Sequence, residues 1–380
     1  MPSKTLSNGV SRLMSAFVNR ISQDVDIRFQ LPWNFGDYLI HLPRRLGVSE
    51  ALDAAVDALV TAHTFFCAGN LKPGREVLTK HAHCLAILRR DVADVHKART
   101  SETLAAIMVT SITQLFVYPE QASGVTHTNG ATRLLLSRGF AKPRDDFDKL
   151  LMLTLRGPVV FEALLTDNIQ LSSHDWKMLI GGFPASIHDH VDGQWFACIA
   201  HVPDLIERSK AALIMHEPPS LNLLSLELEV RALLEDIRPI ITKSRDRWDS
   251  FDATAVPGVL SNHLQAHYPR SLAMALGAGI ILNCMLSGLE GASSTAVCEE
   301  SVLWSEEIVQ LAEICRIYRP LGSLAMFIVL RMAWCGAACA EAKGRIEAML
   351  FEYGACLGLT EETECGNLGS LQRRWTLQQF

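Results

Sequence analysis

Hydrophobic positions along this chain recur at three- and four-residue spacing over long stretches, the period of one face of an α-helix. The stretches are Ser49–Thr64, Val77–Asp94, Ser101–Phe116, His127–Ser137, Phe147–Leu153, Leu221–Thr242, Pro269–Leu289, Cys298–Tyr318 and Ser323–Phe351, with few Gly or Pro inside them. The strict alternation of a half-buried strand, bounded by turn dipeptides, is scarce. Helix starts carry chemical marks: Ser49 precedes Glu50, and Ser101 precedes Glu102 and Thr103, placing an oxygen cap and a negative charge where amide groups are exposed. An all-α fold is expected, organised as a single large helical domain with a buried apolar core.

Breaks in the pattern fall at Asn70–Gly74, Gly139–Pro143, Gly181–Gly193, Glu217–Ser220 and Ser250–Gly258, each rich in Gly, Pro, Ser or Asp. None is long or polar enough to be a flexible linker between independent domains. The expected division is therefore a partly ordered lead-in over residues 1–31 and one helical domain over 32–380.

Composition narrows the function classes. An apolar share of 49% with 20% charged residues suits a large core and excludes a disordered regulator. The formal net charge is −6, and basic residues gather only in pairs such as Arg44-Arg45, Arg89-Arg90 and Arg373-Arg374. Without a basic field, specific unaided binding to nucleic acid is not expected. The segment Met1–Arg20 lacks the long apolar run and small-residue cleavage site of a secretory signal, so an intracellular location, nuclear or cytoplasmic, is expected. The ten cysteines lie mostly in apolar segments and outline no disulfide framework. Ser271–Leu289 and Leu321–Ala340 are apolar enough to suggest membrane spans. Asn283, Ser287 and Glu290 mark the first and Arg331 splits the second, so both are expected to be buried core helices, with no membrane partner.

Four segments, taken in order, carry a family likeness. Leu42-Pro43-Arg44-Arg45-Leu46-Gly47-Val48-Ser49-Glu50-Ala51-Leu52-Asp53-Ala54-Ala55-Val56 has a proline followed by a leucine–aspartate–alanine–alanine helix. Ser101–Pro119 is a helix ending in a polar turn, and His127-Thr128-Asn129-Gly130-Ala131-Thr132-Arg133-Leu134-Leu135-Leu136-Ser137-Arg138-Gly139 runs from histidine and glycine through leucines to arginine–glycine. Leu155-Arg156-Gly157-Pro158 through Trp176 completes the set. Over roughly Pro32 to Leu357 the chain resembles the regulatory domain of fungal binuclear zinc-cluster transcription factors. The resemblance implies a regulatory or coregulator protein, of a fungal secondary-metabolic pathway, that acts through a partner such as a DNA-binding regulator or through a small ligand. In physical terms His127–Gly139 reads as an amphipathic helix, Leu134, Leu135 and Leu136 spread over its buried side, ended by a glycine able to turn left-handed.

The departure from that family is as informative as the match. Its DNA module holds zinc in paired cysteines two residues apart. Here no cysteine precedes Cys67 and no Cys-x-x-Cys occurs; Cys335 and Cys339 sit at helical spacing in an apolar segment and are expected to pack in the core.

Other metal-ligand types are present. His81 and His83 precede Cys84, but side chains two apart on a helix diverge by about 200° and cannot share an ion. His188, His190, Asp189 and Asp192 lie in a segment expected to be a solvated loop. His127 is expected to be held by the turn before its helix rather than to act as a base.

Carboxylates offer a second function. Asp145, Asp146 and Asp148 follow Lys142-Pro143-Arg144, and Asn283, Ser287 and Glu290 share one helical face. Set opposite one another in an all-α fold they would hold Mg²⁺ and a prenyl diphosphate. The set resembles class I terpene cyclases loosely, with Asp-Asp-x-Asp for Asp-Asp-x-x-Asp and the second motif one residue short. Noncanonical humulene synthases are a related all-α likeness, yet Leu286–Glu290 holds no Lys or Arg for the diphosphate. In that alternative Mg²⁺ is the cofactor, the reaction is a lyase step releasing diphosphate, and Met285, Trp334 and Phe351 would line the cavity. In the regulatory reading no cofactor is expected and the carboxylates cap helices.

Overall fold

The computed structural model describes residues 6–22, 25–119, 127–137, 143–181, 190–214, 221–256, 258–290 and 295–377. The fold is all-α: among the described residues there is no strand. Two compact units divide the chain, 1–170 with 356–358, and 171–355 with 359–380.

The first unit comprises α1 (Leu6–Ile21), α2 (Leu31–Phe35), α3 (Tyr38–His41), α4 (Glu50–Cys67), α5 (Arg75–Ala93), α6 (Val95–Ala98), α7 (Ser101–Val117), α8 (His127–Ser137) and α9 (Asp146–Leu165). Its centre is α4 against α7, with α5 and α1 packed beside α4. Ala51, Leu52, Ala55, Val56 and Leu59 are buried on one flank of α4, and α7 is buried nearly all round from Thr103 to Val109. Small side chains, Ala51 and Ala55 on α4 and Ala105 and Ala106 on α7, are buried among the larger ones. The segment expected to be a lead-in carries α1, whose Phe17 is fully buried.

Local chemistry sets the helix ends. Ser49 caps α4 as its position suggests, accepting from the Leu52 amide at 3.4 Å. At α7 the cap is Thr100, which accepts from the Thr103 amide at 3.2 Å, rather than Ser101. Ser101 is thereby released to face inward, where its hydroxyl is buried. The stretch expected to stop at Leu153 instead runs through Gly157-Pro158 to Leu165 as α9. Proline removes one helical N–H, but Leu151, Leu155, Val159, Val160 and Ala163 are all buried, and their packing outweighs one lost bond. In α8 Leu134 and Leu135 are buried and Leu136 partly so, matching the amphipathic reading; Gly139 and the turn after it lie outside the described residues.

The second unit comprises α10 (Ser173–Gly181), α11 (Val191–Ile199), α12 (Val202–Ile214), α13 (Leu221–Asp249), α14 (Gly258–Glu290), α15 (Thr295–Cys315), α16 (Leu324–Gly336), α17 (Ala340–Ala355) and α18 (Glu361–Trp375). Its axis is α14, against which α13, α15, α16, α11 and α18 pack. Among the described residues α14 is the helix long and apolar enough to cross a membrane, yet 83% of its apolar window is buried inside the fold, as a core helix requires. Small residues let its neighbours come close: a Cβ at Gly279 would enter the Trp304 ring, and one at Gly288 would meet the Thr376 carbonyl.

The expected single helix Ser323–Phe351 is two, α16 and α17, separated after Gly336, where a Cβ would press on Ser305 and the Ser301 carbonyl. Cys335 is therefore buried in α16 while Cys339 lies beyond its end, exposed, and the two do not share a helix face. Arg331, the residue that splits the second apolar stretch, is buried with its guanidinium 4.3 Å from the Phe327 ring centre, a cation–π contact that holds its charge inside.

Candidate functional site

The aspartates at the start of α9 are built into the first unit. Asp145 is the N-cap, accepting from the Asp148 amide at 2.8 Å, and it also takes the Arg45 guanidinium. Arg45 in turn reaches Glu102 at 3.0 Å and lies 4.7 Å from the Phe147 ring centre. The Arg45 hydrogen bond, with the Asp148 amide behind it, holds Asp145 below the usual carboxylate range. Asp146 points to solvent. Asp148 is buried, receiving the Ser101 hydroxyl at 2.7 Å and the Arg144 amide at 3.2 Å.

Asn283, Ser287 and Glu290 belong to the second unit. Asn283 is buried and donates to Ser301 at 3.1 Å and Glu300 at 3.3 Å, and the Ser287 hydroxyl donates to the Asn283 carbonyl at 3.0 Å, inside its own helix. Glu290 ends α14, and its side chain lies outside the described residues. Met285 is fully buried, while the Trp334 indole donates to Glu347 at 2.8 Å with Lys343 stacked 4.0 Å from its ring centre.

A hydrated Mg²⁺ needs several carboxylate oxygens open to one space. Asp145 has a guanidinium and an amide on it, Asp148 is sealed beneath the surface, Asp146 faces solvent, and Asn283 is buried with its amide nitrogen on Glu300 and Ser301. Asp145, Asp148 and Asn283 are thus engaged in holding the fold, while Asp146 is exposed and the Ser287 hydroxyl bonds within its own helix.

The histidine candidates separate in the same way. His81 is buried and His83 exposed on α5, on diverging sides as helical geometry requires. His188 and Asp189 lie outside the described residues, as does the His127 side chain. Asp192, expected in a loop, sits in the first turn of α11. Among the described residues no three His, Cys, Asp or Glu side chains gather as a metal would need.

Asp192 leads to a polar cluster in the second unit that the sequence does not announce. His267 Nε2 is 2.9 Å from one oxygen of Asp192, and the Ser271 hydroxyl donates to the other. The carboxylate is acceptor only, so Nε2 carries the proton, leaving Nδ1 to face the Arg270 guanidinium at 3.5 Å. Burial alone would raise the Asp192 pKa, but His267, by hydrogen bond and charge, and Ser271 together push it well below the ordinary value. Burial also lowers the Arg270 pKa against the pull of Asp192, and burial pushes the nearby Cys315 thiol up to about 12. His267, Arg270 and Ser271 fall at helical spacing in the sequence, so their common face is legible; their partner is 75 residues away and is not.

The order of these groups decides what they do. In a hydrolytic triad the serine hydrogen-bonds the histidine and the carboxylate stands behind it. Here the serine bonds the carboxylate, so its hydroxyl has no base to activate it, and the cluster is a clamp between α11 and α14. A fully buried imidazole stands in the first unit: His63 Nε2 lies 2.9 Å from the Phe29 carbonyl and 3.4 Å from Cys67 Sγ, and burial drops its pKa to about 4. Burial raises the Cys67 thiol, which makes it inert rather than nucleophilic. Comparison of the chain with protein-family models, with curated proteins and with solved structures finds no match.

Proposed function

We propose that this chain is a transcription-factor-like regulatory or coregulator protein of a fungal secondary-metabolic pathway, acting inside the cell, in nucleus or cytoplasm, through a DNA-bound partner or a small ligand. The observation that carries the reading is what Asp145 and Asp148 do: their oxygens cap α9 and fasten it to Arg45 and Ser101. Those two carboxylates serving the fold support the regulatory reading over a prenyl-diphosphate lyase. What remains is a helical chain carrying, in order, the four segments that resemble a regulatory domain, with a net charge of −6 and no thiolate cluster with which to read DNA itself.

The test compares transcripts in cells with and without the chain and adds a gel shift with purified protein. A coherent set of genes is expected to change, while the purified chain shifts no DNA at physiological salt. Unchanged transcripts, together with a hydrocarbon released from farnesyl diphosphate and Mg²⁺ and lost in Asp145→Ala, would replace this reading with the lyase.

A further inference from the structure

The outer face of α15 has an order that its packing role does not require. Toward the core the helix buries Trp304, Ile308, Leu311, Ala312 and Cys315. On its side toward α13, Glu300 pairs with Arg238 at 3.0 Å and Glu307 with Arg245 at 2.7 Å. The remaining face should be polar throughout, yet Leu303 is 66% exposed, Ile314 42% and Ile317, in the turn that follows, 68%. Beside this aliphatic row Glu299, Glu306 and Glu313 are exposed, each seven residues from the next. Leu303, Gln310 and Ile317 repeat at the same interval. A seven-residue repeat keeps one strip of a helix turned toward a partner helix lying along it, with the charged row as the flank that selects that partner's charge.

We propose that this strip is a docking surface for a basic amphipathic helix of a partner protein. The aliphatic row would meet the apolar seam of that helix, and Glu299 and Glu306 would meet lysines or arginines along its edge. Glu313 already has an arginine, Arg316, at 2.7 Å, so the unmatched negative charge lies toward the Glu299 end, and the partner's basic residues belong there. The same glutamates argue against a second copy of this chain, since self-association would set one acidic row near another. The proposal rests on the reading that the chain acts through a protein partner, and it names where and with what chemistry.

The test titrates the full chain into a fluorescently labelled synthetic helix of about three heptads, with leucine along the seam and lysine along both flanks. A control peptide carries glutamate on the flanks. The lysine peptide is expected to bind and the glutamate peptide not. Leu303→Asp with Ile317→Asp, both at exposed positions that leave the helical circular dichroism unchanged, should weaken binding about tenfold or more. Glu299→Lys with Glu306→Lys should reverse the preference toward the glutamate peptide. Three results overturn the proposal: equal binding of both peptides, binding indifferent to the Leu303/Ile317 variant, or a dimer of the chain that dissolves in that variant. None of them bears on the transcript experiment, whose failure would instead remove the regulatory reading and leave the peptide titration standing.

Discussion

Burying a carboxylate is costly unless donors replace the water it has lost, and those on Asp148 include the Ser101 hydroxyl and the Arg144 amide. Ser101→Ala removes one of them without exposing the other. It is expected to cost about 1–3 kcal/mol in urea unfolding, more than the roughly 1 kcal/mol for removing the cap itself in Thr100→Ala. A neutral Ser101→Ala would mean that Asp148 is satisfied some other way. His63 makes a prediction in pH. Its folded pKa is lowered, to about 4 from an ordinary 6.5, so between those values the unfolded chain takes up a proton that the folded chain refuses. The stability due to neutral His63 is full above pH 6.5 and is lost as pH falls toward 4, by a difference on the order of 3 kcal/mol. His63→Phe should flatten the urea midpoint between pH 7 and pH 5, whatever it does to the absolute value. Asp192 acts in a lower window. Its depressed pKa gives stability that is present above the ordinary carboxylate value and lost as the pH drops below it, so Asp192→Asn should blunt acid unfolding there and leave the His63 window unchanged.

At the scale of elements, α14 shows how a core helix is selected. Its glycines at 279 and 288 stand where another element leaves no room for a methyl group, the Trp304 ring at one and the Thr376 carbonyl at the other. Gly288→Ala presses on backbone that cannot swing away and is expected to cost about 1–3 kcal/mol or more. Gly344 on α17 has nothing within 4 Å of its Cβ position, so Gly344→Ala should instead stabilise by up to about 1 kcal/mol through helix propensity. Opposite signs in thermal unfolding check the pair, and equal signs would contradict the packing described. The same helix marks what a sequence can disclose. Its apolar run and three- and four-residue spacing identify a helix directly, because periodicity is a local property. Its length is not local: α14 begins before Pro269, where the sequence pattern starts, and α9 runs past Leu153, where the pattern stops, and through Pro158, because tertiary burial on both sides of each proline exceeds the cost of one missing N–H. Ser101 is a similar case. Its place before Glu102 suggests a cap, and only Asp148 arriving from another helix draws its hydroxyl inward. The Asp192–His267 clamp was least legible of all, since no spacing rule joins residues 75 apart.

For the whole molecule, charge and chemistry point the same way. The net charge is −6, basic residues stand at most in pairs, and no Cys-x-x-Cys occurs in the sequence, a balance that favours action through a partner on the regulatory reading. At the start of α9, Asp145 joins Arg45 and Asp148 joins Ser101. On the regulatory reading proposed above, the chain would reach a promoter through a partner. Chromatin immunoprecipitation of the tagged full chain from its native cells measures that directly. Promoter enrichment is expected, coinciding with the genes whose transcripts change on deletion, although the purified chain binds no DNA. Absence of the chain from chromatin under conditions where those transcripts change would contradict the regulatory role proposed here.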